Sequence, residues 1–497
     1  KNASQVNIGA RRSSLFSLGK FSTLGVQFQD LPFSDNHLDP YVSERDYNPL
    51  ENGTFWSKWL ARNPYFEGYE IRVYQGLVGQ TIPEMSFSKY LIDKVSNPNA
   101  NGGVVINAVD PFRKLDAVKA QFPKQTQAKL LADITDSATT INTSGQINPS
   151  AEFGGNYFSM GTEIVSYTAE VDIGSGNYSY TGVVRGLFGS EKAEHKAGDS
   201  VQHTAYFDPN LSNSGLYDTL ILLFQSAGFE LTDLDYLEWQ IEIDTWLTQF
   251  SNLQRVLFKP VAINKLIGEL SASCGFFIWF DDILKKVKLK AIRPEATPII
   301  TLDEDSNLIQ GTTSSRLETN ERISQVWIDY NVTNFTADLN KRENYASTQA
   351  RIDLEAESAN EYGESVVYNI QAKWLHSLNQ IDTLGFRAIA RYRDNTRFVS
   401  FQLDIKDSDL EIGQAFKLNF RGFSDAFGNN LELFWQVISR KRTADIIMIE
   451  AQEFYFTGNY GFIMPDDAND YDNATDEEKS TGCYISPTSD GTEYLII

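Results

Sequence analysis

Between Gly155 and Val201 the chain reads GNYFSMGTEIVSYTAEVDIGSGNYSYTGVVRGLFGSEKAEHKAGDSV, and this stretch decides the fold class. Ile164-Val165 and Tyr167 lie in one extended run, and Tyr178, Tyr180 and Val183-Val184 in a second. Between them, Gly174-Ser175-Gly176-Asn177 has the chemistry that closes a hairpin, because glycine and asparagine tolerate positive φ. Arg185-Gly186-Leu187-Phe188-Gly189 ends the second run, and His195 to Val201 reads as a turn into a last short strand. The expectation is a small β unit.

On the N-terminal side, residues from Ser22 to Ala108 read as a β domain with long loops. Glu70-Ile71-Arg72-Val73-Tyr74 alternates polar with apolar, the pattern of a half-buried strand. Phe87 with Tyr90 to Ile92 and Val104-Val105-Ile106 predict two more strands. The stretch from Leu31 to Pro49, rich in proline and aspartate, is too long for a simple connection and reads as functional. Asp110-Pro111 has the form of an N-cap and first helical residue, with Phe112, Leu115 and Val118 on one face until Pro123.

On the C-terminal side the pattern turns helical. Ser214 is expected to cap a helix from Leu216 to Ala227 ended by Gly228, and Thr232 one from Tyr236 to Phe250. Pro260 marks a helix start; Ile263, Leu266, Ile267, Leu270 and Cys274 share a stripe, and Gly275 stops it. Phe276 to Phe280 is then a buried strand and Asp281-Asp282 a turn. On the return, Val287, Leu289 and Ala291 alternate with Lys286, Lys288 and Lys290. From Pro298 strands are expected at Gln325–Tyr330, Val366–Ile370, Phe398–Leu403, Ala415–Phe420, Trp435–Ile438 and Ile446–Phe456, with Asp382 capping a helix that bears Leu384, Ala388 and Arg391.

Composition bounds what this architecture does. At 497 residues the chain exceeds what one core serves. No window approaches the length of apolar sequence that spans a membrane. A net charge of −23 repels phosphate and anionic lipid, which argues against a nucleic-acid binder of the basic-patch kind. Two cysteines, Cys274 and Cys483, exclude a disulfide framework and a cysteine-only metal site. The aromatic content, 13%, suits strands and interfaces.

Enzyme constellations are missing from the sequence. It has no nucleophile elbow, phosphate loop or H-E-x-x-H zinc helix. Of four histidines (His37, His195, His203, His376), only His195 and His203 are close, and they read as a turn residue and a strand residue. The acidic run Asp466 to Glu478 lacks the register and glycine of a calcium loop. Lys285, Lys286, Lys288 and Lys290 read as the solvated or protective face of a strand. No catalytic, cofactor or metal residue is assigned, and no cofactor is expected.

The motif pieces Glu163-Ile164-Val165-Ser166-Tyr167, Val184-Arg185-Gly186-Leu187-Phe188-Gly189-Ser190 and Ala193 to Val201 together resemble a segment of tail-tip (baseplate) hub proteins of long-tailed bacteriophages. Trp56-Ser57-Lys58-Trp59-Leu60 followed by the Glu70 strand, the helix ending at Cys274-Gly275 with its Lys-rich hairpin, and the strands flanking Leu410-Glu411-Ile412-Gly413 are similar to other parts of such hubs. The resemblance implies a mainly β, multidomain chain with minor α. Its expected parts are a first tube-like β domain (1–125), a small inserted β domain (126–208), a helical segment with a β-hairpin (209–297), a second tube-like β-barrel domain (298–460) and an acidic tail (461–497). It further implies a structural, non-enzymatic virion protein made in the host bacterial cytoplasm. Such a protein forms a homotrimer at the tail tip and joins the tail tube to the tip. Its channel is closed before DNA ejection and open during it. The implied partners are the tail tube or distal tail protein, the tape measure protein and a tail-tip or central fibre protein, with DNA passing through the lumen without specific binding. A receptor- or carbohydrate-binding tip protein is the alternative, and a tail-associated glycosidase the third reading. Cys483 to Ile485 and Tyr494 to Ile497 are expected to anchor the acidic tail on a neighbour.

Overall fold

The computed structural model describes residues 4–6, 19–20, 23–33, 53–76, 78–116, 120–148, 155–281, 284–293, 300–319, 322–358, 362–404, 410–443, 446–453, 473 and 475. Most of the Leu31–Pro49 stretch, Val118, the acidic run, Cys483 and the expected tail anchors lie outside them. The architecture is mainly β, with several separate sheets and five α-helices among the described residues.

The N-terminal sheet has four strands in the order Thr23–Gln29, Gly103–Val109, Ser86–Val95, Glu70–Gln75. All neighbours run antiparallel. Leu24, Tyr90, Ile92, Val104, Ile106 and Ala108 are its buried apolar side chains, with Val26, Ile71 and Val73 packed beside Leu24, Tyr90 and Ala108. The helix α1, Phe55–Arg62, adds a chain of aromatic contacts, Phe28 to Trp56 at 5.1 Å, Trp56 to Trp59 at 5.7 Å and Trp59 to Phe66 at 6.0 Å.

The Asp110 carboxylate accepts the Phe112 N–H at 2.9 Å, as a capping residue does. The segment it opens is only a short 3-10 turn, Pro111–Asp116, that buries Phe112 and Leu115. Gln121–Phe122, expected within that helix, instead pairs with Val261–Ala262. That pairing also moves the next helix start past Pro260: α4 begins at Ile263.

Three helices, α2 (Leu216–Ser226), α3 (Tyr236–Trp246) and α4 (Ile263–Cys274), share the largest core. Ser214 and Thr232 sit in 3-10 turns before α2 and α3, whose N-terminal neighbours are Gly215 and Asp235. Gly228 and Gly275, with φ of 89° and 75°, follow the ends of α2 and α4, since positive φ costs a residue with a Cβ far more. The stripe on α4 is buried as its spacing predicts, and the hairpin of Phe276–Asp281 with Lys286–Ala291 buries Val287, Leu289 and Ala291. The three-stranded sheet Tyr345–Ile352, Gln325–Val332, Val367–Gln371 packs into the same core through Val326, Ile328 and Ile370. So does α5, Leu378–Tyr392. α5 begins a turn before Asp382, because the Gln380 side-chain oxygen accepts the N–H groups of His376 and Ser377 at 3.2 and 3.3 Å.

The last sheet is eight-stranded. Asn430–Thr443 is flanked by Ile446–Glu453 and Ala415–Ser424, both antiparallel. Thr396–Asp404 continues beyond Ile446–Glu453, and Ile300–Asp303 pairs parallel with Ala415–Ser424. Its core gathers Phe401, Leu403, Phe416, Trp435, Val437 and Ile449. The short strand Ser4–Val6 pairs with this sheet, Ser4 opposite Arg440, although it opens the described chain.

Candidate assembly site

The β unit around Gly155 to Val201 is two small sheets closed over one core. One has the order Glu163–Ser166, Tyr157–Met160, Val201–His203; the other has Ala169–Gly174, Asn177–Thr181, Thr140–Ser144, Lys129–Leu130. The Gly174–Asn177 turn does close a hairpin, with Ser175 and Gly176 at φ of 57° and 75°. Both central residues at positive φ make the two-residue loop favoured by strand twist. It joins Asn177–Thr181 to Ala169–Gly174, however, and the Ile164-Val165 strand belongs to the other sheet, paired with Tyr157–Met160. A turn determines only its immediate flanks, and the chain changes sheets at Tyr167-Thr168.

The centre of the unit is ionic. Glu163, 1% exposed, faces Arg185 in a two-pronged pair, Nε donating to Oε1 at 2.7 Å and Nη2 to Oε2 at 2.6 Å. Arg185 Nη1 and Nη2 also donate to the carbonyls of Thr135 and Ala193, each at 2.7 Å. The Ala193 N–H and His195 Nε2 reach Glu163 Oε2 at 3.1 and 2.9 Å. Burial raises the pKa of the Glu163 carboxyl; the bonds from Arg185, His195 and Ala193 outweigh burial and hold it below the ordinary value. A planar guanidinium is the side chain that satisfies a carboxylate in this geometry.

The other motif residues shape the turns around this centre. Ser190 Oγ accepts the Ile164 N–H at 3.0 Å and donates to the Leu187 carbonyl at 2.7 Å. Asp199 accepts the Lys196 N–H at 2.9 Å, while Asp133 takes the Ala197 N–H and Lys196 Nζ at 2.9 and 3.0 Å.

One side of the unit is pressed onto the rest of the protein. At Gly189, φ is 82°, and a Cβ would stand 2.4 Å from the Thr333 carbonyl oxygen and 2.8 Å from Asn334 Cα. The Phe335 N–H donates to the Phe188 carbonyl at 3.2 Å. The Phe188 ring meets Tyr206 at 4.6 Å, Tyr157 at 5.4 Å and Phe335 at 6.3 Å. Ile164, Val256, Val332, Phe335 and Tyr345 make a small apolar seam there. Beneath it lies a charged junction that sequence reasoning missed. Arg255 stands 3.6 Å from Glu269, which also accepts from Lys373 Nζ at 3.2 Å. Burial lowers the Arg255 pKa, opposed by Glu269 and then Tyr345. These residues are spread from 255 to 373 and no local spacing links them.

The other singled-out residues do not converge. His203 is buried in the strand Val201–His203, away from the His195–Glu163 contact. Lys286 Nζ lies 3.3 Å from Asp235, Lys285 Nζ lies 3.8 Å from the Phe87 ring centre, and Lys290 donates to the Gly413 carbonyl at 3.4 Å. Cys274 is buried and burial pushes its thiol pKa up, which leaves it a packing residue. Among the described residues no group of three or more His, Cys, Asp or Glu side chains is placed to hold a metal, and no helix is long and apolar enough to cross a membrane.

No protein-family model matches the chain, and no curated protein matches it. Several solved structures are similar to it in part. The prophage tail protein gp18 from Listeria monocytogenes EGD-e is 11% identical, with a TM-score of 0.33 over 79% of this chain and 87% of that one. A chain of the virion of the native gene transfer agent particle is 11% identical, with a TM-score of 0.36 over 78% and 84%. The 43 kDa tail protein of prophage MuSo2 from Shewanella oneidensis is 8% identical, with a TM-score of 0.32 over 87% and 94%.

Proposed function

We propose that the chain is a structural protein of a bacteriophage virion, the hub of the tail tip. In this reading it assembles as a homotrimer, joins the tail tube to the tip, and walls the channel that is closed until DNA is ejected. The observation that carries the reading is the fate of the resembling motif. Glu163, Arg185, Ser190, Ala193, His195 and Asp199, scattered over 37 positions, meet in one bonded cluster and its turns. Phe188 and Gly189 of the same motif seat the unit on the seam with Val332 and Phe335. Those residue types therefore serve to hold and mount a module, as a building protein requires, rather than to attack a substrate.

The exposed aromatics of the N-terminal sheet support the same reading. Phe28, Tyr69 and Tyr74 are exposed on or beside this sheet, large aromatic side chains open to a neighbouring subunit. The test is the composition of the particle: tails purified with a tagged copy of this chain, imaged by electron cryomicroscopy and weighed by mass spectrometry. Three copies at the distal end of the tube are expected. Six copies in a ring, or a chain that co-purifies with no tail component, overturns the proposal.

A further inference from the structure

A cleft of about 700 Å³ opens between α3, the Phe276–Ala291 hairpin and the Glu411–Gln414 loop. It is within the range of about 300–1,000 Å³ typical of small-ligand sites. Part of its wall is already neutralised: Arg293 donates to Glu242 at 2.7 Å, and Lys286 lies 3.3 Å from Asp235. The groups that remain are of three kinds. Trp279 is half-buried, stacked on Phe277 with centroids 5.3 Å apart and planes 24° from parallel, so that packing holds its ring. Lys288 brings a cation, and Glu238 and Glu411 bring anions. Among the described residues, none of these three side chains has a hydrogen bond or ion pair.

This set selects a chemistry. A phosphorylated or polyanionic ligand meets carboxylates from α3 and the Glu411 loop. A bare cation meets the ammonium of Lys288 beside the carboxylates. An apolar ligand would leave the three charges dehydrated without partners, which is costly. A hydroxyl, by contrast, donates to a carboxylate and accepts from an ammonium or an indole N–H. A ring that carries several hydroxyls on its edge and C–H groups on its face fits both the charges and the flat Trp279 surface.

We propose that this cleft binds a short oligosaccharide, with Trp279 as the stacking platform and Lys288, Glu238 and Glu411 as hydroxyl partners. The inference does not depend on the tail-tip reading, since the cleft lies within a single chain.

The test uses the full chain on an array of bacterial capsular, O-antigen and cell-wall oligosaccharides, with positive members titrated by calorimetry. Binding to at least one member is expected, and Trp279→Ala should weaken it about tenfold, the upper range of one aromatic contact. Because Trp279 also packs on Phe277, Lys288→Ala and Glu411→Gln serve as variants that disturb no internal bond; each should weaken binding with the thermal unfolding curve unchanged. Binding to no member of the array, or undiminished affinity in Lys288→Ala and Glu411→Gln, overturns the proposal. Three copies in the tail with no glycan bound would sink this inference alone; glycan binding without tail assembly would sink only the hub.

Discussion

Arg185→Ala leaves Glu163 buried with its main partner gone, and breaking such a pair costs about 3–5 kcal/mol. Chemical denaturation monitored by hydrogen exchange over residues 157–166 should show that loss inside this β unit. The acid response has its origin in the same carboxylate. Its folded pKa lies below the ordinary 4.5, so its stabilisation is complete above about that pH and is lost as pH falls through the depressed value. Glu163→Gln should therefore flatten the acid limb of the urea midpoint against pH, relative to the native chain; an unchanged limb counts against the cluster's role. Gly189→Ala tests the mounting. A side chain at positive φ costs about 1–3 kcal/mol, and here it also meets the Thr333 carbonyl. Exchange protection should drop at 186–190 and 332–335, while the Tyr180 core stays protected.

Among the elements, α5 is tied to its surroundings by one buried amide. Gln380 accepts from two backbone N–H groups with its oxygen and donates with its nitrogen to the carbonyls of Gln249 and Asn252 at 3.2 and 2.9 Å. Gln380→Ala strands those groups at about 1–3 kcal/mol for an unsatisfied buried partner; the fall in thermal midpoint measures it, and Gln380→Glu should not restore it, because a carboxylate cannot donate. The same amide shows where local pattern ceases to be informative. Strands such as Lys286–Ala291 and the stripe of α4 are legible in the sequence because alternation and helical spacing are local. The start of α5, the pairing of Gln121–Phe122 and the sheet that receives Ile164 are not, because each is set by a partner beyond its own element. The motif is legible as a likeness, but the Glu163–Arg185 pair is not, since nothing in spacing says which of 66 acids faces which of 43 bases.

For the whole molecule, the hub reading has an electrostatic consequence. Duplex DNA carries about one charge per 1.7 Å of axis, so a basic lining would grip the passing strand through counterion release. With a net charge of −23 available, the channel wall of the assembled trimer is expected to be acidic or neutral. A particle structure with rings of Lys or Arg lining the bore would contradict this. The pairing of Ser4–Val6 with Asn430–Thr443 bears on something else, the order of events at the ribosome. At about 5–20 residues per second, the roughly 430 residues between the two strands take on the order of 20–90 s to synthesise. Through that interval the first strand has only the short strand Gly19–Lys20 to pair with, so the largest sheet reaches its final order of strands only after the elements between residues 23 and 424 have been made. A nascent chain halted before Asn430 should therefore hold a protected unit at residues 157–203 and a first strand protected by no more than its pairing with Gly19–Lys20.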